Sequence, residues 1–332
     1  MKSGKVNDMI LNRSVIKNIK YRSKYGIVRP KVGNDAYVTQ DGIVNASANA
    51  GLIFDEKLLK FDCKRALLNA CSNVYAEGGI PEYVTVNIFI PEKRLENELK
   101  ELTRYIADLC KSYELDIAGG NTEVTRSVNT YIINFVVTGR LYFDNHISYK
   151  EYLKSDMDIV MTGYCATSGS IGLAYEKYDE LTTRFQKSYI QNALDMEDYM
   201  DNSTACKIAL ENGVRLMHDM SRGGIYLALF ELAKKINRGV CVDMDKINFK
   251  QVTIEICEYL EINPYKLMSN GSMLMVCEDG KALVKALENK EIKASVIGKI
   301  TDSNDKVLMK NEDKHFIEPP RRDEVYILLN NR

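Results

Sequence analysis

Along the first part of the chain the apolar residues switch between a period of two and a period near 3.6. The runs AYVTQ and IVNASA (36–48) are strand-like and are joined by Asp41-Gly42, a two-residue hairpin signal. DCKRALLNACSNVYA (62–76) repeats apolar residues at helical spacing and ends at Gly78-Gly79, where a helix stops readily. YVTVNIFI (83–90) alternates as a strand, and Pro91 predicts a helix that opens there and runs through Tyr113. AGGNTEV then reads as a turn after a short strand, and TYIINFVVTGRL (130–141) as a further strand. This order of elements predicts a mixed α+β layer with its helices on one sheet face.

From about Tyr149 the pattern restarts. DIVMTGY (158–164) predicts a buried strand running into a small-residue loop, CATSGSIG, and then a helix. Residues 184–213 are helical with polar breaks, and GGIYLALFELAKKI (223–236) is an amphipathic helix. Strand GVCVDM, helix 250–260, strand 272–277, helix 281–289 and strands ASVIGKIT and KVLMK follow, an α/β pattern with its own core. The polar stretch 142–156 makes a linker. The expected organisation is a leader (1–32), an N-terminal α+β domain (33–148) and a C-terminal α/β domain (149–332).

With 332 residues the chain has material for two ordinary cores, and its 45% hydrophobic and 27% charged content is that of a soluble globular protein. A net charge of -1 gives no global field to recruit nucleic acid or an anionic membrane. Residues 1–31 nevertheless hold nine Lys/Arg and one acid, Asp8, either as a solvated flexible leader or as a basic arm that reaches phosphate. The arm also leaves a weaker nucleic-acid reading open. No apolar stretch reaches the roughly 18–20 residues of a membrane span, and the start lacks the pattern of a secretory signal. Eight scattered cysteines without a CxxC pair read as reduced buried thiols, pointing to the cytoplasm, and three histidines argue against a His-rich metal centre.

Four segments gather glycine and small polar residues at strand ends: Gly33–Ala36, Gly119–Glu123, Ser168–Gly172 and His218–Gly224. Glycine lets backbone N–H groups approach an anion, and a helix N-terminus adds positive potential. Gly119, Gly120, Asn121, Gly169, Gly172, Gly223 and Gly224 are thus candidates for holding phosphate, with Asp35 and Glu123 as oxygen ligands for Mg²⁺. Each segment alone is equally a tight turn, and each acid a surface acid. His218 has the intrinsic pKa for acid–base work, or is a buried structural histidine bonded to Asp219. Arg222, beside two glycines at a helix start, suits an anionic substrate group, and the methionines fall in core-like runs.

Taken in order these segments resemble a known family. GNDAYV, NASANAG, NACSNVYAEGGIPEYVTV and AGGNTEVT are similar to the N-terminal domain of the AIR-synthase/HypE superfamily. RLMHDMSRGGIYLALFELA, DMDKINF, EICEYLEINPYKLMSNGSMLMVC and ASVIGKIT are similar to its C-terminal domain. The resemblance runs from about Gly33 to Thr301. It implies a two-domain AIR-synthase-like fold, a homodimer whose N-terminal sheets pair into a β-barrel, and ATP used with Mg²⁺ to activate or phosphorylate a small substrate. It also places Asp35 at a metal-binding aspartate, and Asn121 and Glu123 in a GGxTE-like turn.

Two positions depart. The family's Ser-Thr-Asp is here Ser47-Ala48-Asn49, and its Asn-Asp is Ser72-Asn73. Both replace a carboxylate by an amide, which weakens a Mg²⁺ site unless the two asparagines merely cap turns. HypE proteins end in a Pro-Arg-x-Cys-type tail, but here Pro319-Pro320-Arg321-Arg322 leads into no cysteine, so HypE chemistry would need a thiol from another chain. Without a cysteine before Cys63, selenophosphate synthesis is also disfavoured. The expected site joins Asn49, Asn73 and the glycine segments around nucleotide, with His218, Asp219 and Arg222 facing the substrate. The alternative is a catalytically altered nucleotide or metabolite sensor, or an assembly protein with a maturation-type partner.

Overall fold

The computed structural model describes the chain except residues 1–3, 7, 21–23, 28–30, 144–148, 155, 321 and 330–332. Parts of the expected leader and linker therefore lie outside the described residues. The first half forms α1 (Asp8–Ser14), β1 (Tyr37–Val38), β2 (Ile43–Ala50), α2 (Leu59–Ala76), β3 (Gly79–Pro91), α3 (Glu96–Ser112), β4 (Asp116–Thr125) and β5 (Ile132–Leu141). Its five strands lie in the order β1-β2-β5-β3-β4, antiparallel except for the parallel β3–β4 pair. The Asp41-Gly42 hairpin forms as expected, with Val38 opposite Val44 and Gly42 at φ 81°.

Two local expectations change here. Pro91 ends β3 instead of opening a helix, and α3 starts at Glu96, where the Glu98 carboxylate accepts from the Leu95 N–H at 3.0 Å. AGGNTEV is not a turn but the body of β4. The β3–β4 register slips between Val84 and Thr85, and Gly120 runs so close to β3 that a Cβ there would meet the Val86 carbonyl oxygen at 1.7 Å. These glycines serve a bulged strand pairing.

The second half forms α4 (Tyr149–Tyr152), β6 (Asp158–Thr162), α5 (Thr167–Glu176), α6 (Tyr178–Arg184), α7 (Lys187–Leu194), α8 (Ser203–Glu211), β7 (Leu216–Met220) and α9 (Gly224–Ile236). It continues with β8 (Gly239–Asp243), α10 (Gln251–Tyr259), β9 (Ser272–Cys277), α11 (Gly280–Glu288), β10 (Ala294–Thr301), β11 (Lys306–Lys310), β12 (Asp313–Phe316) and α12 (Val325–Leu329). The strand order β12-β11-β8-β10-β6-β9-β7 makes a mixed sheet of seven strands. LMHDM is edge strand β7, with His218 opposite Leu274 and every residue buried. CATSGSIG is mostly not a loop, because Thr167 to Gly172 are the first turns of buried helix α5.

Helix α2 joins the halves. Thirteen of its 18 residues are buried, which is what a helix covered on several sides requires. Val74 and Ala70 share one apolar cluster with Val44 and Phe135 of the first sheet and with Met217, Met273 and Met275 of the second. Polar anchors hold its start: Asp62 accepts from Gly51 N–H at 2.7 Å and from Arg65 Nε at 2.6 Å, while Arg65 Nη2 donates to the Asn49 carbonyl at 2.9 Å. Arg65→Ala should leave the Asp62 carboxylate buried without its cation and lower unfolding free energy by about 3–5 kcal/mol, measured by urea denaturation.

Candidate functional site

The candidate site forms where β7 and α9 of the second half meet the loop before β1 and the C-terminal end of α2. His218 Nδ1 lies 2.9 Å from Asp35 Oδ2. Lys235 Nζ, on α9, donates to the same Asp35 oxygen at 2.9 Å and to the Met217 carbonyl at 3.3 Å, and lies 2.8 Å from Glu77 Oε1. Glu77 Oε1 also accepts from the Asp35 N–H at 3.2 Å. On the other side of His218, Glu231 Oε2 stands 3.6 Å from Nε2, and Glu231 Oε1 pairs with Lys5 at 2.6 Å. Asp219 is buried beside them, its Oδ2 without a hydrogen-bond partner among the described residues.

Burial sets the charges of this cluster against one another. It pulls the His218 pKa down, but the Asp35 charge and hydrogen bond, helped by the nearby Glu231 carboxylate, outweigh it and raise the value to about 10. Burial likewise opposes ionisation of Asp35, yet His218 and Lys235 hold its carboxyl below the usual carboxylate range. Asp219 is pushed up to about 7 by burial and then by the Asp35 charge, with His218 and Lys5 only partly offsetting them. A buried carboxyl that titrates near neutrality beside a fixed cation suits proton transfer.

The turn between β7 and α9 carries the other expected residues. Gly223 and Gly224 have φ of 86° and 60°, and a Cβ on Gly224 would lie 2.5 Å from the Tyr265 carbonyl oxygen. Gly223 N–H donates to Asp323 Oδ2 at 2.5 Å, and Asp323 Oδ1 accepts from Val325 N–H at 2.9 Å. The helix N-terminus expected to hold phosphate is thus capped by the chain's own carboxylate. Arg222 lines an adjoining cavity of about 670 Å³ with Lys5, Leu227, Phe230, Pro320 and Tyr326. The leader crosses α9 here: Asp8 pairs with Lys234 at 2.7 Å, and Lys31 Nζ donates to the Lys234 carbonyl at 3.1 Å.

The remaining expected residues stand elsewhere. Gly169 and Gly172 are buried in α5, where a Cβ would lie 2.4 Å from Leu267 and 2.3 Å from Phe54 respectively, so close packing explains them and they present no cradle. Gly119, Gly120, Asn121 and Glu123 are on exposed strand β4. The sheet order sets β4 four strand positions from β1, which Asp35 precedes, so within one chain Asp35 and Glu123 do not converge on a metal. Neither departing asparagine caps a turn, since Asn49 is in β2 and Asn73 inside α2.

Asn49 instead begins a row of amides across the sheet. It stands opposite Asn134, Asn134 opposite Asn87, and Asn87 opposite Asn121. Asn134 donates to Asn49 at 2.9 Å, Asn87 to Asn134 at 3.4 Å, and the Asn121 N–H to Asn87 at 3.0 Å.

Mg²⁺ finds a poor fit. Among the described residues, Asp35, His218 and Asp219 form the one group of acids, histidines and cysteines with ligand atoms all within 4.8 Å of one another. Yet the Asp35 oxygen nearest His218 already carries two donors. Lys5, Glu77, Glu231, Lys235 and Asp323 were absent from the expected site. One signal was present: Gly224, Ala228, Glu231 and Lys235 form a helical stripe, all buried, that places two charges on an inward side.

Residues 23–141 match the N-terminal domain, and residues 159–311 the C-terminal domain, of AIR synthase related proteins. The chain is 24% identical over 251 residues to a putative hydrogenase expression/formation protein of Methanocaldococcus jannaschii, covering 74% of this chain and 71% of that protein. A HypE–HypF complex contains a chain similar in fold at TM-score 0.71 and 21% identity, covering 93% of this chain and 99% of that one. The hydrogenase maturation protein HypE in complex with ATP is similar at TM-score 0.70 and 13% identity, covering 96% and 94%.

The raised Asp219 pKa has a definite sign in stability. Its protonated form favours the fold, so that contribution is complete below the unfolded value near 4 and is lost as pH rises through about 7. Asp219→Asn should therefore melt close to wild type at pH 4 and increasingly above it toward pH 8, read from Tm across that range.

Proposed function

The chain belongs to the AIR synthase related protein family, and from that premise we propose that it is an ATP-dependent enzyme that activates or phosphorylates a small-molecule substrate. The observation that carries this reading is the buried Asp219 carboxyl, which lies beside His218 with one oxygen lacking a partner among the described residues and is pushed up toward neutral pH by burial. In this reading Asp219 moves the substrate proton, and His218 keeps positive charge next to it. Arg222 faces the adjoining cavity and contacts an anionic group of substrate or nucleotide. No step is routed through a metal at Asp35. HypE, which shares the fold, has been solved with ATP, and this supports a nucleotide as ligand.

We assign the working form as a homodimer through the N-terminal sheets. Among the described residues β4 pairs only with β3 and is exposed along nearly its whole length, with Ile117 and Val124 46% and 61% exposed. An open edge of this length is a template for a second strand. Pairing there would add Asn121 and Glu123 of one copy to a site shared by two. A maturation-type protein partner is a further element of the proposal, supported by the fold shared with the HypE–HypF complex. Among the described residues no helix is long and apolar enough to cross a membrane.

The amide row favours one second reading. Asn49, Asn134 and Asn87 bond to one another through their side chains and Asn121 joins by its backbone N–H, which suits a chain that binds nucleotide or metabolite as a sensor or assembly protein without turning it over. Both readings require binding, and phosphate release in the presence of small carboxylate, amide and phosphate substrates separates them. Isothermal titration should detect ATP, ADP or AMP; no heat with any of the three contradicts the enzyme reading. Light scattering after gel filtration should find a dimer that Ile117→Lys with Val124→Lys converts to monomer, and a wild-type monomer would remove the shared site.

A further inference from the structure

We propose that the Lys235 ammonium is the resident cation of the Asp35–Glu77 carboxylate pair and occupies the position a divalent metal would need. This inference does not depend on nucleotide binding. The two acids come from the loop before β1 and from the end of α2, whereas the lysine reaches them from α9 of the other domain. The side chains of Lys235 and Glu77 are both fully buried, and that of Asp35 is 7% exposed, so this is an internal ion cluster.

The geometry is that of a filled site. Lys235 Nζ lies 2.9 Å from Asp35 Oδ2, 2.8 Å from Glu77 Oε1 and 3.3 Å from the Met217 carbonyl oxygen, one acceptor for each ammonium proton. The oxygens it bridges are engaged on their other side as well. Asp35 Oδ2 meets His218 Nδ1 at 2.9 Å, and Glu77 Oε1 accepts the Asp35 N–H at 3.2 Å. Each thus has two donors for its two lone pairs. A Mg²⁺ ion asks for near-octahedral oxygen ligands at about 2.1 Å and gives up its water reluctantly. It would have to displace a lysine that is covalently tethered and therefore present at very high local concentration. The same ammonium ties the two domains together, so its expulsion would also uncover buried carboxylates.

Mn²⁺ alone, followed by electron paramagnetic resonance and calorimetric titration, tests this. Wild type should show no Mn²⁺ site that Asp35→Asn removes. Lys235→Met should gain one, binding Mn²⁺ about tenfold or more tighter than wild type does. Asp35→Asn in that background should abolish it, and Mn²⁺ should raise the Tm of Lys235→Met more than that of wild type. Should Lys235→Met fail to fold, Lys235→Gln keeps a hydrogen-bond donor, drops the charge and carries the same comparison. Asp35-dependent Mn²⁺ binding in wild type overturns the proposal. A folded Lys235 variant that gains no Asp35-dependent Mn²⁺ site overturns it equally.

Discussion

A charged group taken out of water must be compensated where it lies, and that requirement organises the junction of this protein. Lys235, on a helix of the second domain, is fully buried, and the acids it meets, Asp35 and Glu77, both belong to the first. The pairing fixes how α9 lies against the end of α2 and the loop before β1. His218 and Asp219 follow from it, because β7 runs directly into the turn that starts α9. The unequal fates of the acids follow too. Asp35 has two cations and stays ionised, whereas Asp219, buried beside that charge, is driven toward its protonated form.

Much of the fold was legible because local pattern and tertiary environment agree there. The Asp41-Gly42 hairpin, α2 and the alternation of β3 each announce the face they bury. The errors share a cause in glycine, which has two uses that local sequence does not separate. In β4 and α5, as at Gly120 and Gly172, it lets a neighbouring backbone or ring come close, and both segments were read as loops or cradles for an anion. Pro91 is a similar case, since a proline can close a strand as well as open a helix.

The candidate site was half legible. His218, Asp219 and Asp35 stood out by residue type, and they do converge. Their supporting charges did not stand out, because Lys235 and Glu231 lie in an exposed-looking run of a helix whose apolar stripe dominates. Within one chain Asp35 and Glu123 stand apart for a topological reason: motif order along a chain does not give strand order in a sheet. On that sheet, the one carboxylate that the family resemblance leads one to expect is the amide Asn49, which accepts from Asn134 in a row that holds together without a cation. The junction and this sheet face thus both satisfy their polar groups from within the chain.

That balance rests on His218 being a cation inside the protein. Nitrogen chemical shifts of its imidazole, followed by NMR in ¹⁵N-histidine-labelled protein from pH 6 to 8, measure this directly. With Asp35 holding the proton on Nδ1 and the pKa raised to about 10, both ring nitrogens should remain protonated throughout. A neutral His218 tautomer at pH 7 would contradict the account.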